Sequence, residues 1–250
     1  MKSISAPATK YLCANCPLQF HRQLQNHTPD EIAFLSDFRN GDLVVEAGAT
    51  VLVEGATSAH LFTVLSGWGF RHKTLEDGRR QILNYVLPGD LIGLQGSLMT
   101  EMQHSVEALS PLTLCVFRRD NLPKLFQSFP SLGYDITWLA SREEQMLDEI
   151  LLSVGRRTAL ERAAYLFAFL YQRARSVGLT RDDRLVIPLR QQHVADTLGL
   201  SIVHTNKTLK KLATSGALRW IDRGCEVLDI SVLMAISKWQ GLPEVARPYI

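Results

Sequence analysis

The residues whose chemistry can be argued most concretely lie between Leu189 and Leu212, in the stretch LRQQHVADTLGLSIVHTNKTLKKL. The pattern predicts a helix over 191–198, a turn at Gly199, and a second helix that begins after Ser201. A short helix, a glycine turn and a capped second helix are typical of a helix-turn-helix. This motif places its second helix in the major groove of DNA.

One face of the second helix carries side chains suited to base edges and phosphates. Asparagine pairs with adenine, lysine binds guanine or phosphate, and an aliphatic side chain contacts a thymine methyl. Thr205, Leu209 and Leu212 share the opposite face and are predicted to be buried. A helical hairpin with a solvated lysine face is the alternative. The candidate DNA-binding residues are Arg190, Ser201, Ile202, Val203, His204, Asn206, Lys207, Lys210, Lys211 and Arg223.

A β-hairpin is predicted directly after this motif. Residues 217–230, ALRWIDRGCEVLDI, contain two short apolar runs around Arg223-Gly224, which is a hairpin signal. A helix-turn-helix followed by a hairpin forms a winged helix. The basic side chains of Arg219 and Arg223 are predicted to lie at its tip, against the DNA backbone.

Cysteine thiols are the second group of residues with distinctive chemistry. Cys13 and Cys16 form a Cys-x-x-Cys pair, while Cys115 and Cys225 lie far along the chain. Four cysteines spread this sparsely argue against a disulfide framework. They leave metal binding, redox chemistry or plain packing as their roles.

The composition is that of an ordinary globular protein with room for two domains. The chain has 250 residues, 46% of them hydrophobic, and a net charge of +2, which neither supports nor excludes nucleic acid. It has no apolar run of about 18 residues and no secretory signal, so no membrane association and a cytoplasmic location are predicted. It also lacks a phosphate loop, a zinc-hydrolase helix motif and a nucleophile elbow, so the chain is not expected to be an enzyme.

The elements before the motif change from helical to alternating patterns. Residues 28–40 predict a helix with a capping box formed by Thr28 and Glu31. Residues 41–118 contain short runs rich in β-branched and aromatic residues, separated by glycines, and predict a compact antiparallel barrel or sandwich. The irregular segment 89–105 is the candidate small-molecule pocket, and a connecting loop is the alternative.

Residues 131–153 predict one long helix. Its apolar positions recur at alternating spacings of four and three, which indicates either a core helix on its own barrel or a dimeric coiled coil. We favour the coiled coil because two recognition helices need a two-fold partner to bind a palindrome. A hinge is expected at Val154-Gly155 and a second helix over 157–177. The predicted dimer residues are Leu132, Ile136, Leu139, Glu143, Met146 and Ile150.

This order of elements resembles the Crp/Fnr family of bacterial transcription regulators. The resemblance covers residues 28–230 and is most specific at LPGDLIGLQG, residues 87–96, and at VADTLGLSIVHTNKTLKKL, residues 194–212. It implies an α+β fold with an N-terminal antiparallel β-roll like that of cyclic-nucleotide-binding domains, a long dimerisation helix and a winged helix-turn-helix domain. It also implies a homodimer that binds double-stranded DNA at a palindromic site and contacts RNA polymerase. The corresponding domains are an N-terminal cysteine-containing segment at 1–27, the β-roll sensor at 28–130, the helix and hinge at 131–154, and the DNA-binding domain at 155–250.

The resemblance places an effector pocket in the segment after the Gly-Asp pair. Members that bind cyclic AMP have a glutamate for the ribose and an Arg-Ser pair for the phosphate. Gln95 and His104-Ser105 stand at the corresponding places here, and histidine is a poor replacement for arginine. Cyclic AMP is therefore not expected. The candidate pocket residues are Gly93, Leu94, Gln95, Gly96, His104 and Ser105.

The cysteines resemble those of the iron-sulfur oxygen sensors of the family, with one difference. Cys13, Cys16 and Cys115 match three ligands, but the further N-terminal cysteine is absent and His21 lies near its place. A cluster normally has four ligands, so His21 or an outside group would have to complete it. An iron-sulfur cluster, a redox-reactive thiol pair and no cofactor are the three alternatives. The second functional hypothesis is thus a redox or iron-sulfur sensing protein.

The recognition helix also departs from the family pattern. Many members carry Glu-x-x-Ser-Arg, whereas this chain has Val203, Asn206 and Lys207 at those places. Lysine lacks the planar fork with which arginine binds guanine, and valine accepts no hydrogen bond from cytosine. The DNA half-site is therefore expected to differ from the commonest one of the family.

Overall fold

A computed structural model of the chain describes residues 12–21, 23–180, 184–222, 224–243 and 245–250. The prediction for Arg223 lies outside the described residues. The chain divides into two compact units. The first contains the described residues up to Phe70, together with Val86–Arg142 and Ala246–Ile250. The second contains Arg71–Tyr85 and Glu143–Val245.

Two four-stranded sheets form the predicted β-roll. Their strand orders are β1-β8-β3-β6 and β2-β7-β4-β5, and the pairs β1–β8, β3–β8, β3–β6 and β2–β7 are antiparallel. Its elements are α1 (Pro29–Phe38), β1 (Arg39–Val45), β2 (Thr50–Leu52), β3 (His60–Ser66), β4 (Gly69–Thr74), β5 (Arg80–Val86), β6 (Leu91–Ile92), α2 (Leu94–Met99), β7 (Ser105–Ala108), β8 (Leu112–Arg118) and α3 (Leu122–Ser128).

Helix α1 begins as the sequence predicts. The Thr28 hydroxyl accepts a hydrogen bond from the Glu31 amide, and the Glu31 carboxylate accepts one from the Thr28 amide, so the capping box is present. The helix ends at Phe38 instead of Asn40 because strand β1 begins at Arg39.

The glycines between the strands allow tight turns. Gly67 has a φ of 93°, and a Cβ there would lie 2.2 Å from the carbonyl oxygen of Pro111. A larger residue would therefore meet both a backbone clash and an unfavourable backbone angle. This explains why a glycine stands at the turn between β3 and β4.

Helix α4 (Pro130–Arg156) runs through the predicted hinge. The expectation that Val154-Gly155 breaks the helix is wrong: Gly155 is helical, and the break comes at Arg157 and Thr158. Thr158 forms a capping box with Glu161 that starts α5 (Ala159–Ser176). The signal that ends one helix and begins the next is thus the cap of α5, because a glycine alone only weakens a helix.

The second unit contains a winged helix-turn-helix. Helix α5 is its central element, since Ala163–Tyr171 are buried without interruption. The Trp239 ring packs against the rings of Tyr165 and Phe169. The remaining elements are β9 (Leu185–Ile187), α6 (Gln191–Leu198), α7 (Ile202–Thr214), β10 (Leu218–Ile221), β11 (Gly224–Val227) and α8 (Ile230–Ser237).

The wing has three strands in the order β10-β11-β9. The hairpin of β10 and β11 was predicted, whereas β9 was not, because three residues are too few to show an alternating pattern. Cys225 lies on β11 and is fully buried, so its thiol serves packing. Among the described helices, none is long and apolar enough to cross a membrane.

Candidate functional site

Helix α7 has the cap and the turn that the sequence predicts. Gly199 adopts the left-handed conformation with a φ of 64°, and the Ser201 hydroxyl accepts a hydrogen bond from the His204 amide at 3.3 Å. Thr205, Leu209 and Leu212 are buried as expected. Thr208 is buried as well. These contacts fix which side of the helix faces solvent.

The opposite side of α7 is exposed along the helix. Its first turns carry aliphatic and amide groups, and its later turns carry ammonium groups. Such groups can contact base edges in the major groove and the phosphates beside it. A helix with one side anchored in a core and the other free of intramolecular cover can enter a major groove. The exposed side chains are those of Ser201, Ile202, Val203, His204, Asn206, Lys207, Lys210 and Lys211.

Arg190 lies at the N-terminal cap of α6 and is exposed. Its backbone amide donates a hydrogen bond to Nδ1 of His193 at 3.1 Å. Burial, helped by the charges of Arg80 and Arg190, lowers the pKa of His193 to about 4. His193 is therefore neutral and able to accept this hydrogen bond at neutral pH.

The wing differs from the sequence-based expectation at Arg219. This residue lies on strand β10, where its Nε and one terminal nitrogen contact the Glu226 carboxylate of β11 at 3.1 and 2.5 Å. Arg219 therefore forms a cross-strand ion pair within the wing and does not lie at the tip. The prediction that it lies on the DNA backbone missed this pair because Glu226 faces it only in the register of the folded hairpin.

The hairpin of β4 and β5 forms several hydrogen bonds with helix α6. Nε of Arg80 donates to the Asp196 carboxylate at 2.9 Å, and the Gln81 amide donates to the carbonyl of Thr197 at 3.0 Å. The hydroxyls of Tyr85 and Thr197 are 2.7 Å apart. These bonds hold α6, the first helix of the helix-turn-helix, against this hairpin.

We expect Arg80→Ala to lower the free energy of unfolding by about 1–3 kcal/mol, because it leaves the largely buried Asp196 carboxylate without its charge-assisted hydrogen bond. Denaturant titration of the purified chain measures this change. Arg79→Ala is the matched control, since its ion pair with Asp77 is 77% and 53% exposed and such pairs contribute little. Equal effects of the two substitutions would contradict the assignment.

The loop predicted to hold an effector makes several contacts within the protein. A Cβ on Gly96 would lie 2.8 Å from the Met102 sulfur, so the Met102 side chain lies close beside Gly96. A guanidinium nitrogen of Arg119 donates to the Gly96 carbonyl at 3.2 Å, and the Ser105 hydroxyl accepts from the Glu54 amide at 3.0 Å.

The other residues predicted for that pocket differ in their exposure. Gly93 caps helix α2 with a φ of 93°. Leu94 packs against the apolar core, whereas Gln95 is exposed and His104 is buried. Their grouping into one effector pocket stays a prediction.

The three cysteines singled out by the sequence do come together. Cys13, Cys16 and Cys115 line one cavity of about 30 Å³, enough for a water molecule. Turns of 3₁₀ helix at Cys13–Asn15 and Pro17–Phe20 position the first two thiols, and strand β8 positions the third. The cavity admits a small electrophile or oxidant and excludes a nucleotide.

Two of the thiols in this cavity, those of Cys16 and Cys115, are held in their protonated form by burial. Burial raises the pKa of Cys16 and, more strongly, that of Cys115. Arg39 acts in the opposite direction on both groups, but more weakly than burial. A thiol is a poor nucleophile until it loses its proton, so the closed cavity suppresses thiol reactivity.

The cavity does not fit a four-ligand iron-sulfur cluster. It contains three thiols, and in the described part of the chain no three His, Cys, Asp or Glu side chains are grouped to hold a metal ion. The histidine at the cavity is His27, whose ring lies 4.5 Å from that of Tyr249, and not His21, the ligand suggested by spacing. Sequence reasoning missed His27 because only the fold brings α1 against the cysteine turns.

Four of the six residues of the predicted dimer seam of α4 are buried within the subunit. Leu132, Ile136 and Leu139 belong to the apolar core of the first unit, as the alternative of a core helix requires. Met146 is buried too. Their burial favours the core-helix alternative for these positions, because a heptad pattern shows that one face is covered but not by what.

Polar contacts also hold this face of α4 within the subunit. Oε1 of Glu143 lies 3.1 Å from a guanidinium nitrogen of Arg71 and accepts a hydrogen bond from the Asn84 amide at 3.0 Å. Ile150 lines a small cavity beside Tyr85. Glu143, one of the predicted dimer residues, thus pairs within its own chain. The exposed apolar side chains of α4 are Tyr134, Leu147, Leu151 and Leu152.

Two family descriptions match the chain. The cyclic nucleotide-binding domain matches residues 42–129, and the Crp-like helix-turn-helix domain matches residues 161–236. The first coincides with the β-roll and the second with the winged helix-turn-helix. Both matches agree with the architecture that the sequence predicts.

Curated relatives match most of the chain. It is 33% identical over 193 residues to the nitrogen fixation regulation protein FixK of Bradyrhizobium diazoefficiens, covering 76% of this chain and 79% of that protein. It is 27% identical over 215 residues to the transcriptional activator protein FnrL of Cereibacter sphaeroides, covering 85% and 86%. The solved structure of FixK2 from Bradyrhizobium japonicum has the same fold, with a TM-score of 0.68 at 24% identity over 78% of this chain and 96% of that one.

Proposed function

Because the chain belongs to the Crp/Fnr family of transcription regulators, we propose that two copies of it bind a palindromic DNA site through the exposed face of α7. The observation that carries this proposal is the division of α7 into a buried face and an exposed face of amide, aliphatic and ammonium groups. Its relatives are a regulation protein and a transcriptional activator by name. The chain is accordingly a DNA-binding regulator and not an enzyme.

The residue types on α7 suggest which contacts specify the sequence. Asn206 is placed to pair with adenine, Lys207 to bind guanine, and Ile202 or Val203 to contact a thymine methyl. Lys210 and Lys211 lie nearer the end of the helix and suit phosphates. Contacts with phosphates add affinity but no sequence information. The base-contacting residues determine the sequence of the DNA half-site, and the phosphate-binding lysines determine how binding depends on salt.

The dimer is proposed to form along the exposed side of α4. Leu151 is 72% exposed and Leu152 is 48% exposed within one chain. Apolar side chains in that state on a 27-residue helix gain stability when a second copy covers them. Two-fold pairing of this kind would present the two α7 helices to successive half-sites.

We propose the cysteine cavity as the site where the sensor unit receives its signal. The supporting observation is that three thiols line one small cavity. The class of signal is a small thiol-reactive molecule. A protein whose main activity is redox sensing is the second candidate function, and the same cavity favours it.

RNA polymerase is the further partner that the family implies, and the cytoplasm is the compartment where such a regulator meets it. A transcription regulator acts on DNA that polymerase also occupies. We therefore propose both, together with activation as the mode of regulation, since several relatives are activators by name.

Selection of bound sites from random duplex DNA tests the proposed function. The full reduced chain is expected to enrich a two-fold symmetric motif with half-site centres about 34 Å, or one helical turn, apart. Binding is then compared at 50 and 200 mM salt, where phosphate attraction alone falls steeply. Enrichment of an asymmetric motif, or of none, in both the reduced and the oxidised chain would refute the proposal.

A further inference from the structure

Residues 246–250 pack on the first unit. The Arg247 amide donates to the carbonyl of Gln23 at 2.9 Å, and the Gln25 amide donates to the carbonyl of Arg247 at 2.9 Å. Arg247 and Leu24 form a parallel bridge. This segment, residues 246–250, thereby adds a short strand-like edge beside the cysteine turns.

The Arg247 side chain anchors the segment to the loop between β5 and β6. One guanidinium nitrogen contacts the Asp90 carboxylate at 2.7 Å, and the other donates to the carbonyl of Pro88. The two side chains of the ion pair are only 16% and 8% exposed. A Cβ on Gly89 would lie 2.8 Å from the guanidinium group, so this loop and the arginine fit closely together.

The two final residues close the cysteine cavity. Tyr249 and Ile250 are 3% and 4% exposed, and both line the cavity with the thiols of Cys13, Cys16 and Cys115. The Tyr249 ring packs on His27 at the inner side. The backbone beside these two residues is held to the first unit by the backbone hydrogen bonds and the ion pair of Arg247.

We propose that residues 246–250 form a lid that controls the access of small thiol-reactive molecules to the cysteine cavity, with the Arg247–Asp90 pair as its latch. Removal of Tyr249 and Ile250 opens one wall of the cavity to water. This proposal concerns only access to the thiols, so it does not depend on whether the thiols regulate DNA binding.

Opening the lid also changes the thiols themselves. Burial is the main cause that raises the pKa of Cys16 and Cys115, and part of that burial comes from the lid. Hydration of the cavity lowers the pKa of both thiols toward its ordinary value and increases the fraction of thiolate. Access and intrinsic reactivity therefore rise together.

Alkylation of the full reduced chain by iodoacetamide tests this inference. The thiolate sulfur displaces iodide and forms a thioether, and mass spectrometry of the peptides follows each cysteine separately. For Arg247→Gln we expect alkylation of Cys16 and Cys115 to accelerate by about tenfold or more, because access to both thiols and their thiolate fraction rise together. Truncation after Ala246 is expected to accelerate it further.

Two controls separate lid opening from unfolding. Arg118→Gln removes an exposed arginine, whose pair with Asp120 is 59% and 70% exposed, and should leave all rates unchanged. Cys225, buried in the wing, reports on unfolding within the same sample. Unchanged rates at Cys16 and Cys115 in both lid variants, or an equal acceleration at Cys225, would overturn the lid, since the segment would then either not cover the cavity or act only on global stability.

Discussion

Replacing Lys207 with alanine is expected to abolish specific operator binding without changing the stability of the fold. Lys207 is exposed, so its removal creates no cavity. Each base contact contributes roughly 1–3 kcal/mol of discrimination. Loss of this contact in both copies therefore removes roughly 2–6 kcal/mol, or roughly 30-fold or more in relative affinity for the operator.

The measurement is a comparison of affinities for the selected operator and for random duplex DNA at fixed salt. Lys124→Ala is the matched control, because it removes an exposed lysine on α3 of the β-roll. A variant whose discrimination between the two duplexes equals that of the unaltered chain would show that Lys207 binds only phosphate.

The second large effect is expected for Leu151→Asp. Its side chain is 72% exposed in a single subunit, so a carboxylate there costs nothing in the monomer. In a dimer it would place two charges in an apolar interface, which raises the dissociation constant of the dimer by about 100-fold or more. Operator affinity should fall with it, because each half-site then binds on its own.

Sedimentation at several protein concentrations measures the dissociation constant of the dimer. Leu98→Asp is the control, since it places the same charge at an apolar side chain that is 66% exposed on α2. Dissociation of the Leu98 variant with retention of the dimer by the Leu151 variant would place the dimer surface elsewhere than on α4.

Local signals predicted most of the DNA-binding motif. Gly199, Ser201 and the spacing of Leu209 and Leu212 each determine a backbone angle, a cap or a buried position within a few residues. Such signals do not depend on the rest of the chain. For this reason the bounds of α6 and the buried face of α7 agree with the sequence-based expectations.

Signals that depend on distant residues were less informative. The heptad pattern of α4 indicated a covered face, but the covering groups belong to the β-roll and to Arg71 and Asn84 of the same chain. Likewise, no spacing in the sequence relates Tyr249 to Cys16, although the apolar chain end after Pro248 was a weak sign of burial. The wrong hinge at Gly155 has a local origin instead, since one glycine only weakens a helix and the capping box of Thr158 and Glu161 sets where α5 begins.

The cysteines lie between these two cases. The Cys-x-x-Cys pair and Cys115 were identified by type and spacing, and the fold places them at one cavity. Their chemistry depends on what else lines that cavity, and there His27 and Tyr249 lie beside the three thiols. The identity of the site was thus predictable, but its donor set was not.

Sedimentation of the full chain with its selected operator duplex tests the central claim most directly. The account predicts two chains on each operator duplex, no such complex on a duplex with one half-site scrambled, and loss of discrimination by the Lys207→Ala variant. A single chain that binds every duplex equally, in both the reduced and the oxidised state, would contradict it.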